Sequence, residues 1–182
     1  MKETGYKIRN QNAVHYVTFT IVYWIGLFSR PIYHEILLEN LRFYQKERGL
    51  IIYAWVIMSN HMHLIVKSSS GKLSEIIRDY KSYTSKKIIE AIKEYPESRR
   101  EWMLWMMDRA AKKHRRNTKY QLWKHENHPE ELESNKFLDQ KLDYVHLNPV
   151  RAGIVQNAED YLLSSAKDYC DIKGLVDIEK IQ

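Results

Sequence analysis

The chain has one cysteine, Cys170, among 182 residues, which excludes an internal disulfide and fits a reducing compartment. It has no Cys-x-x-Cys pair, so a thiolate zinc site is excluded as well. No apolar run approaches the roughly 20 residues that a membrane-spanning helix needs. The opening Met1-Lys2-Glu3-Thr4-Gly5 is too polar for a signal peptide, so a cytoplasmic protein with no membrane partner is expected. No internal repeat or low-complexity tract divides the sequence, and its length and 44% hydrophobic fraction suit a single domain over residues 1–182 with a real core. The formal charge of +6 and the pI near 9.2 favour an anionic partner without naming it.

The order of elements is legible from periodicity. His15 to Val22 is rich in β-branched and aromatic residues and reads as a strand. Ser29-Arg30-Pro31 opens a helix with an apolar stripe at Ile36, Leu37, Leu41 and Tyr44, and Gly49 is placed to end it. Residues 51–58 are apolar without alternation, the pattern of a strand covered on both faces. Ser59-Asn60 is a turn, and the strand from His61 to Val66 follows as its hairpin partner. Leu73, Ile76, Ile77, Tyr80, Thr84 and Ile88 mark a second helix. Residues 97–119 read as a basic insertion in which Trp102, Trp105 and Met106 share a helix face, with core packing the expected role of the two tryptophans and base stacking the rival one. Tyr120 to His125 is the expected fourth strand, and a last helix ends at Pro149. This order predicts an α+β fold of ferredoxin-like type, a mostly antiparallel sheet with helices on one face plus a C-terminal helix.

Two short segments carry chemistry. Alternate side chains of a strand share a face, so His61 and His63 project together while Met62 and Leu64 anchor the other side. Two adjacent imidazoles invite a metal. In Asp143-Tyr144-Val145-His146-Leu147-Asn148-Pro149, Tyr144 and Asn148 lie one helical turn apart, so a phenol and a third, amide ligand can share a site. The combination suggests a nuclease with a tyrosine nucleophile. Taken singly, each feature has a plain structural reading: His-x-His as packed histidines, Tyr144 as one of 13 tyrosines, Asn148 as a cap before Pro149. His146 points elsewhere and reads as structural or as a phosphate contact. Tyr80 and Tyr83 are the rival nucleophiles. Lys81, Lys86, Lys87, Lys112, Lys113, Arg115 and Arg116 are candidate DNA phosphate contacts, with a solvated surface as the alternative.

The strings Trp55-Val56-Ile57-Met58-Ser59-Asn60-His61-Met62-His63-Leu64-Ile65-Val66 and Tyr144-Val145-His146-Leu147-Asn148-Pro149-Val150-Arg151-Ala152-Gly153-Ile154-Val155 resemble the single-tyrosine transposases of the HUH superfamily, most closely the REP-associated branch. The likeness runs from Val17 to about Ala166. It implies metal-dependent cleavage and rejoining of single-stranded, hairpin-bearing DNA through a 5′-phosphotyrosine. On that likeness Tyr144 is the nucleophile, His61 and His63 are metal ligands, and Asn148 is the third. The long basic stretch between the motifs departs from the pattern. Imidazole and amide ligation suits Mn²⁺ better than Mg²⁺, and two ordinary imidazoles predict that metal binding weakens as pH falls through about 6.5. Relatives suggest both a monomer and a homodimer. The rival classes are a non-catalytic or domesticated nucleic-acid-binding protein of the same fold, a structural metalloprotein, and a replication initiator or relaxase.

Overall fold

The computed structural model describes residues 7–113 and 119–181. Strand β1 (His15–Thr20) leads through a 3-10 turn to helix α1 (Pro31–Arg48), then to strands β2 (Leu50–Ile57) and β3 (His61–Ser68). Helices α2 (Leu73–Glu94) and α3 (Arg100–Ala111), the two-residue strand β4 (Glu130–Glu131), helix α4 (Asn135–Arg151) and the short helix α5 (Ala166–Tyr169) complete the chain. The sheet order is β2-β3-β1-β4, with every paired neighbour antiparallel, which is the expected ferredoxin-like arrangement. Among the described residues no helix is long and apolar enough to cross a membrane.

The sheet separates two cores. On one side α1 and α2 bury Tyr33, Leu37, Leu38, Leu41, Ile76, Ile77, Tyr80 and Ile88 against Val17, Phe19, Ile52, Trp55, Met62 and Leu64. On the other side α4 lays Val145 over Tyr16, Ala54, Val56 and Ile65. A register shift between Ile52 and Ala54 lets β2 serve both. The extra residue, Tyr53, changes the phase of the alternation, so Ile52 faces α1 and α2 while Ala54 and Val56 face α4. Both faces of the strand are covered, by α1 and α2 on one side and α4 on the other, and that is why residues 51–58 show no alternation in the sequence.

Helix α1 begins with proline, whose fixed φ suits the first turn, and ends on Gly49 at φ 69°. A Cβ at Gly49 would run into the Ser69 side chain. We expect Gly49→Ala to cost about 1–2 kcal/mol in urea unfolding, more than a surface substitution because left-handed backbone and contact both oppose it.

Three expectations are corrected. Residues 120–125 do not form the fourth strand. The segment runs beside the end of β1 through Val22 N–H to the Leu122 carbonyl, Lys124 N–H to the Thr20 carbonyl and Thr18 N–H to the Asn127 carbonyl, but makes one isolated bridge, Trp123 to Ile21, and the fourth strand of the sheet is instead β4, paired at His15 and Tyr16. Pro149 does not stop the last helix. α4 runs on to Arg151, since proline in the last turn forfeits one backbone bond, and Gly153 at φ 70° follows the end. Trp102 and Trp105 do not join the core but stand about half exposed. Met103, Met107 and Ala110 take the buried face of α3 instead, so Arg100–Ala111 adds a packed helix to the α2 side of the sheet.

Candidate active site

The antiparallel register places Thr18 opposite His63 and Thr20 opposite His61, and the α4 face of the sheet receives His63 beside Tyr16. The two histidine rings lie 4.8 Å apart, centroid to centroid, as alternate strand positions require. Tyr144, on α4, meets His63 edge-on at 5.4 Å and Tyr16 at 6.2 Å. One chain therefore brings the late phenol to the early histidine pair. The Tyr144 ring is 40% exposed, open enough for a large substrate to reach its hydroxyl.

His63 is buried, and its two nitrogens are treated differently. Nδ1 is 2.7 Å from the Tyr16 hydroxyl and 2.9 Å from Thr18 Oγ1, whereas Nε2 is buried without a hydrogen-bond partner. A buried nitrogen without a partner is costly unless something else occupies it. With the proton on Nδ1, donated to those oxygens, the Nε2 lone pair is free to bind a cation, the usual arrangement behind a metal-ligating histidine. His61 Nδ1 lies 2.6 Å from Asn60 Oδ1, which orients the second ring. Burial, then the proximity of His61 and Lys141, lowers the His63 pKa to about 3, and burial lowers that of His61. The sequence-based expectation of ordinary imidazoles titrating near pH 6.5 is thereby corrected: burial keeps His63 neutral well below that value and shifts His61 in the same direction.

Asn148 follows Tyr144 by one turn and is half-buried. Because α4 continues to Arg151, Asn148 is not a helix cap, and its backbone carbonyl accepts from Ala152 N–H. Among the described residues no group of three or more His, Cys, Asp or Glu stands ready for a metal. The histidine pair therefore has no third His, Cys, Asp or Glu beside it among the described residues, and Asn148 shares the helix face of Tyr144 at a four-residue step. The donor set of two imidazoles and one amide, with His63 Nε2 orphaned, fits a divalent cation with open positions.

Four neighbours escaped sequence reasoning. Tyr16 and Thr18 hold His63, and only the β1–β3 register reveals them. Lys141 and Arg151 share the Tyr144 stripe of α4 at three- and four-residue steps. Lys141 Nζ sits 4.4 Å over the Tyr16 ring and pairs with Glu130 at 2.7 Å, while the Arg151 guanidinium lies 5.4 Å over the Tyr144 ring. Both bring positive charge to the place where a phosphate would lie.

His146 is structural. Its Nε2 is 2.9 Å from Ser165 Oγ, which also accepts from Trp55 N–H at 2.9 Å, so α4, β2 and the C-terminal segment meet at one hydroxyl. We expect Ser165→Ala to cost about 2–4 kcal/mol in chemical unfolding by stranding two buried polar atoms.

The other candidates are spread widely. Tyr80 is buried beneath the opposite face, where its hydroxyl donates to the Leu37 carbonyl at 3.2 Å, and α2 carries Tyr83 on that side too. Neither approaches His63. Lys81 donates to the Lys124 carbonyl at 2.8 Å and to Asn127, and burial lowers its pKa to about 7. Lys86 is exposed, Lys87 pairs with Glu90 at 3.1 Å, and Lys112 pairs with Asp108 at 2.5 Å. Lys113 is exposed with its ammonium over the Tyr23 ring. Arg115 and Arg116 lie outside the described residues.

The sequence model of the IS200-like transposases matches residues 10–131, more than half of the chain. The chain belongs to that transposase family. The match covers both histidines and stops before α4, so the family assignment and the position of Tyr144 are independent observations. Among solved structures, a REP-associated tyrosine transposase bound to a REP hairpin matches with a TM-score of 0.65 at 17% identity, over 100% of this chain and 99% of that one. At that identity it shows that the transposase fold is shared from end to end. No curated protein matches.

Proposed function

We propose that this transposase cleaves and rejoins single-stranded, hairpin-bearing DNA, with Tyr144 as nucleophile and a divalent cation, Mn²⁺ or Mg²⁺, held by His61, His63 and Asn148. The observation that carries the reading is the edge-on approach of Tyr144 to His63, whose Nε2 is buried and unpaired. When bound, the cation supplies Lewis-acid polarisation of a phosphate oxygen. Tyr144 supplies the oxygen that attacks. Its Oη forms a bond to phosphorus, the bond from phosphorus to the 3′ oxygen breaks, the phenolic proton passes to solvent, and the departing oxygen takes up a proton as a 3′-hydroxyl. Lys141 and Arg151 flank the phosphate and offset its growing charge. Tyr16 and Thr18 fix the His63 ring. The phosphodiester energy stays in the tyrosyl link, so an incoming 3′-hydroxyl reverses the step without a nucleotide cofactor. Tyr144 and His63 come together within one chain, which supports a tyrosine acting in its own subunit's site.

The test is incubation with labelled, hairpin-flanked single-stranded DNA and Mn²⁺, followed by mass spectrometry of any denaturation-resistant adduct. The tag is expected on Tyr144. Recovery on Tyr83 would overturn the nucleophile assignment, and tight binding with no adduct would leave a nucleic-acid-binding protein without chemistry.

A further inference from the structure

Beside His61 the chain makes an unusual turn. Tyr23 and Trp24 both adopt left-handed backbone, at φ 54° and 57°, a conformation that bulky residues rarely enter singly and that carries strain. The result is to hold Trp24 57% exposed, edge-on to His61 at 6.2 Å. Trp24 forms one wall of a cleft of about 390 Å³ completed by Val22, Tyr23, Lys113, Gln121 and Lys124. Two ammonium groups reach the aromatic walls: Lys124 Nζ lies 4.1 Å over the Trp24 ring and Lys113 Nζ 5.3 Å over the Tyr23 ring. At the rim, the Glu126 carboxylate is turned toward His128 at 3.4 Å. Tyr23 Oη is buried here without a hydrogen-bond partner.

We propose that this cleft receives one unpaired nucleotide of single-stranded DNA beside the scissile phosphate, its base stacked on Trp24 and its phosphates met by Lys113 and Lys124. The inference deepens the reading of the His61 and His63 site and rests on it. Aromatic walls with flanking ammonium groups are what a flexible strand needs, since every base has a face to stack and every step carries a phosphate. Lys124 does not block the ring. An exposed ammonium over an indole is held by only about two- to fivefold, whereas a stacked base gains about five- to 150-fold, so the base displaces the lysine, which turns to the phosphate. The strained turn keeps the indole in place before DNA arrives.

The experiment compares affinity for single-stranded oligodeoxythymidylate of about 20 nucleotides, longer than the ~4–16 nucleotides a single-fold binder occupies, with affinity for an abasic strand of the same length. The full chain is used without divalent cation. Trp24→Asn removes the ring while suiting left-handed backbone, and Trp24→Phe keeps a stacking face. The base-to-abasic affinity ratio is expected to fall about tenfold in Trp24→Asn and to be largely restored in Trp24→Phe. Lys124→Gln should weaken both strands and lower the salt slope by about one. An unchanged ratio in Trp24→Asn overturns the proposal, and no binding of either strand by the unsubstituted chain overturns it together with the DNA-cleaving reading. A Trp24-dependent ratio with no adduct at Tyr144 sinks only the chemistry.

Discussion

Tyr144→Phe is expected to abolish the covalent protein–DNA adduct and lower strand cleavage on the order of 10⁴-fold or more, the loss that follows removal of a nucleophile from an otherwise intact site. DNA affinity should stay within about threefold. The phenyl ring keeps the edge contacts that Tyr144 makes with His63 and Tyr16, and only the oxygen that bonds to phosphorus is gone. His63→Ala should lower cleavage on the order of 10³-fold, because it removes a proposed cation ligand and leaves the Tyr16 and Thr18 hydroxyls without their shared partner. Thr18→Val tests the orienting role more gently. Its ring keeps the Tyr16 bond, so a loss of about tenfold is expected, recoverable in part by raising Mn²⁺, whereas the Tyr144→Phe loss is not recoverable by metal. Gel separation of adducts across a metal titration reads all three. Cleavage retained by Tyr144→Phe would move the chemistry to another residue or to water.

What the sequence could disclose follows the range of the interactions involved. The helix limits of α1, its Gly49 terminus and the stripe of α2 are set by neighbours three and four residues apart, and they are readable along the chain. The α4 face of the sheet was not readable in the same way. It depends on the phase change at Tyr53, which one extra residue in β2 produces and which no periodicity announces. The same applies to the site. His61, His63, Tyr144 and Asn148 advertise themselves by spacing, while Tyr16 and Thr18 become partners of His63 only through cross-strand register, Lys141 gains its role only once it lies over Tyr16, and Arg151 joins the stripe only because α4 continues past Pro149. Tyr120 to His125 has strand-like composition and does run beside the end of β1, with Val22 N–H bonded to the Leu122 carbonyl and Lys124 N–H to the Thr20 carbonyl, but these contacts amount to one isolated bridge, and Trp123 fills the core beside Phe19 and Phe28. Composition reports burial and local pairing there, not the length of a continuous strand. The exposed tryptophans of α3 show the converse. Helical spacing identified a face but could not say that the methionines on its other side would be the buried ones.

Two of the buried histidines, His63 and His146, make fold stability steeply dependent on acid. Burial lowers the His63 pKa to about 3 and that of His146 to about 4, against about 6.5 for both in the unfolded chain. A base with a depressed folded pKa takes up its proton more readily when unfolded, so unfolding binds protons between the two values and stability rises with pH there. Above about pH 6.5 the contribution is complete, and it is lost progressively as pH falls toward 4. At 1.36 kcal/mol per unit, His146 contributes roughly 3 kcal/mol, and the pair about 3–6 kcal/mol once the mutual influence of His63 and His61 is discounted. Against a typical domain stability of about 5–15 kcal/mol, that is enough to place acid unfolding near pH 4–5. Urea denaturation at about pH 7.5, 6 and 5 should show a constant slope with a falling midpoint. His146→Gln, which can still hydrogen-bond Ser165 but does not titrate, should remove roughly half of the fall. Equal midpoints at pH 7.5 and 5 in the unsubstituted chain would mean that both rings remain hydrated, and would take with them the dry pocket in which His63 Nε2 is left for a cation.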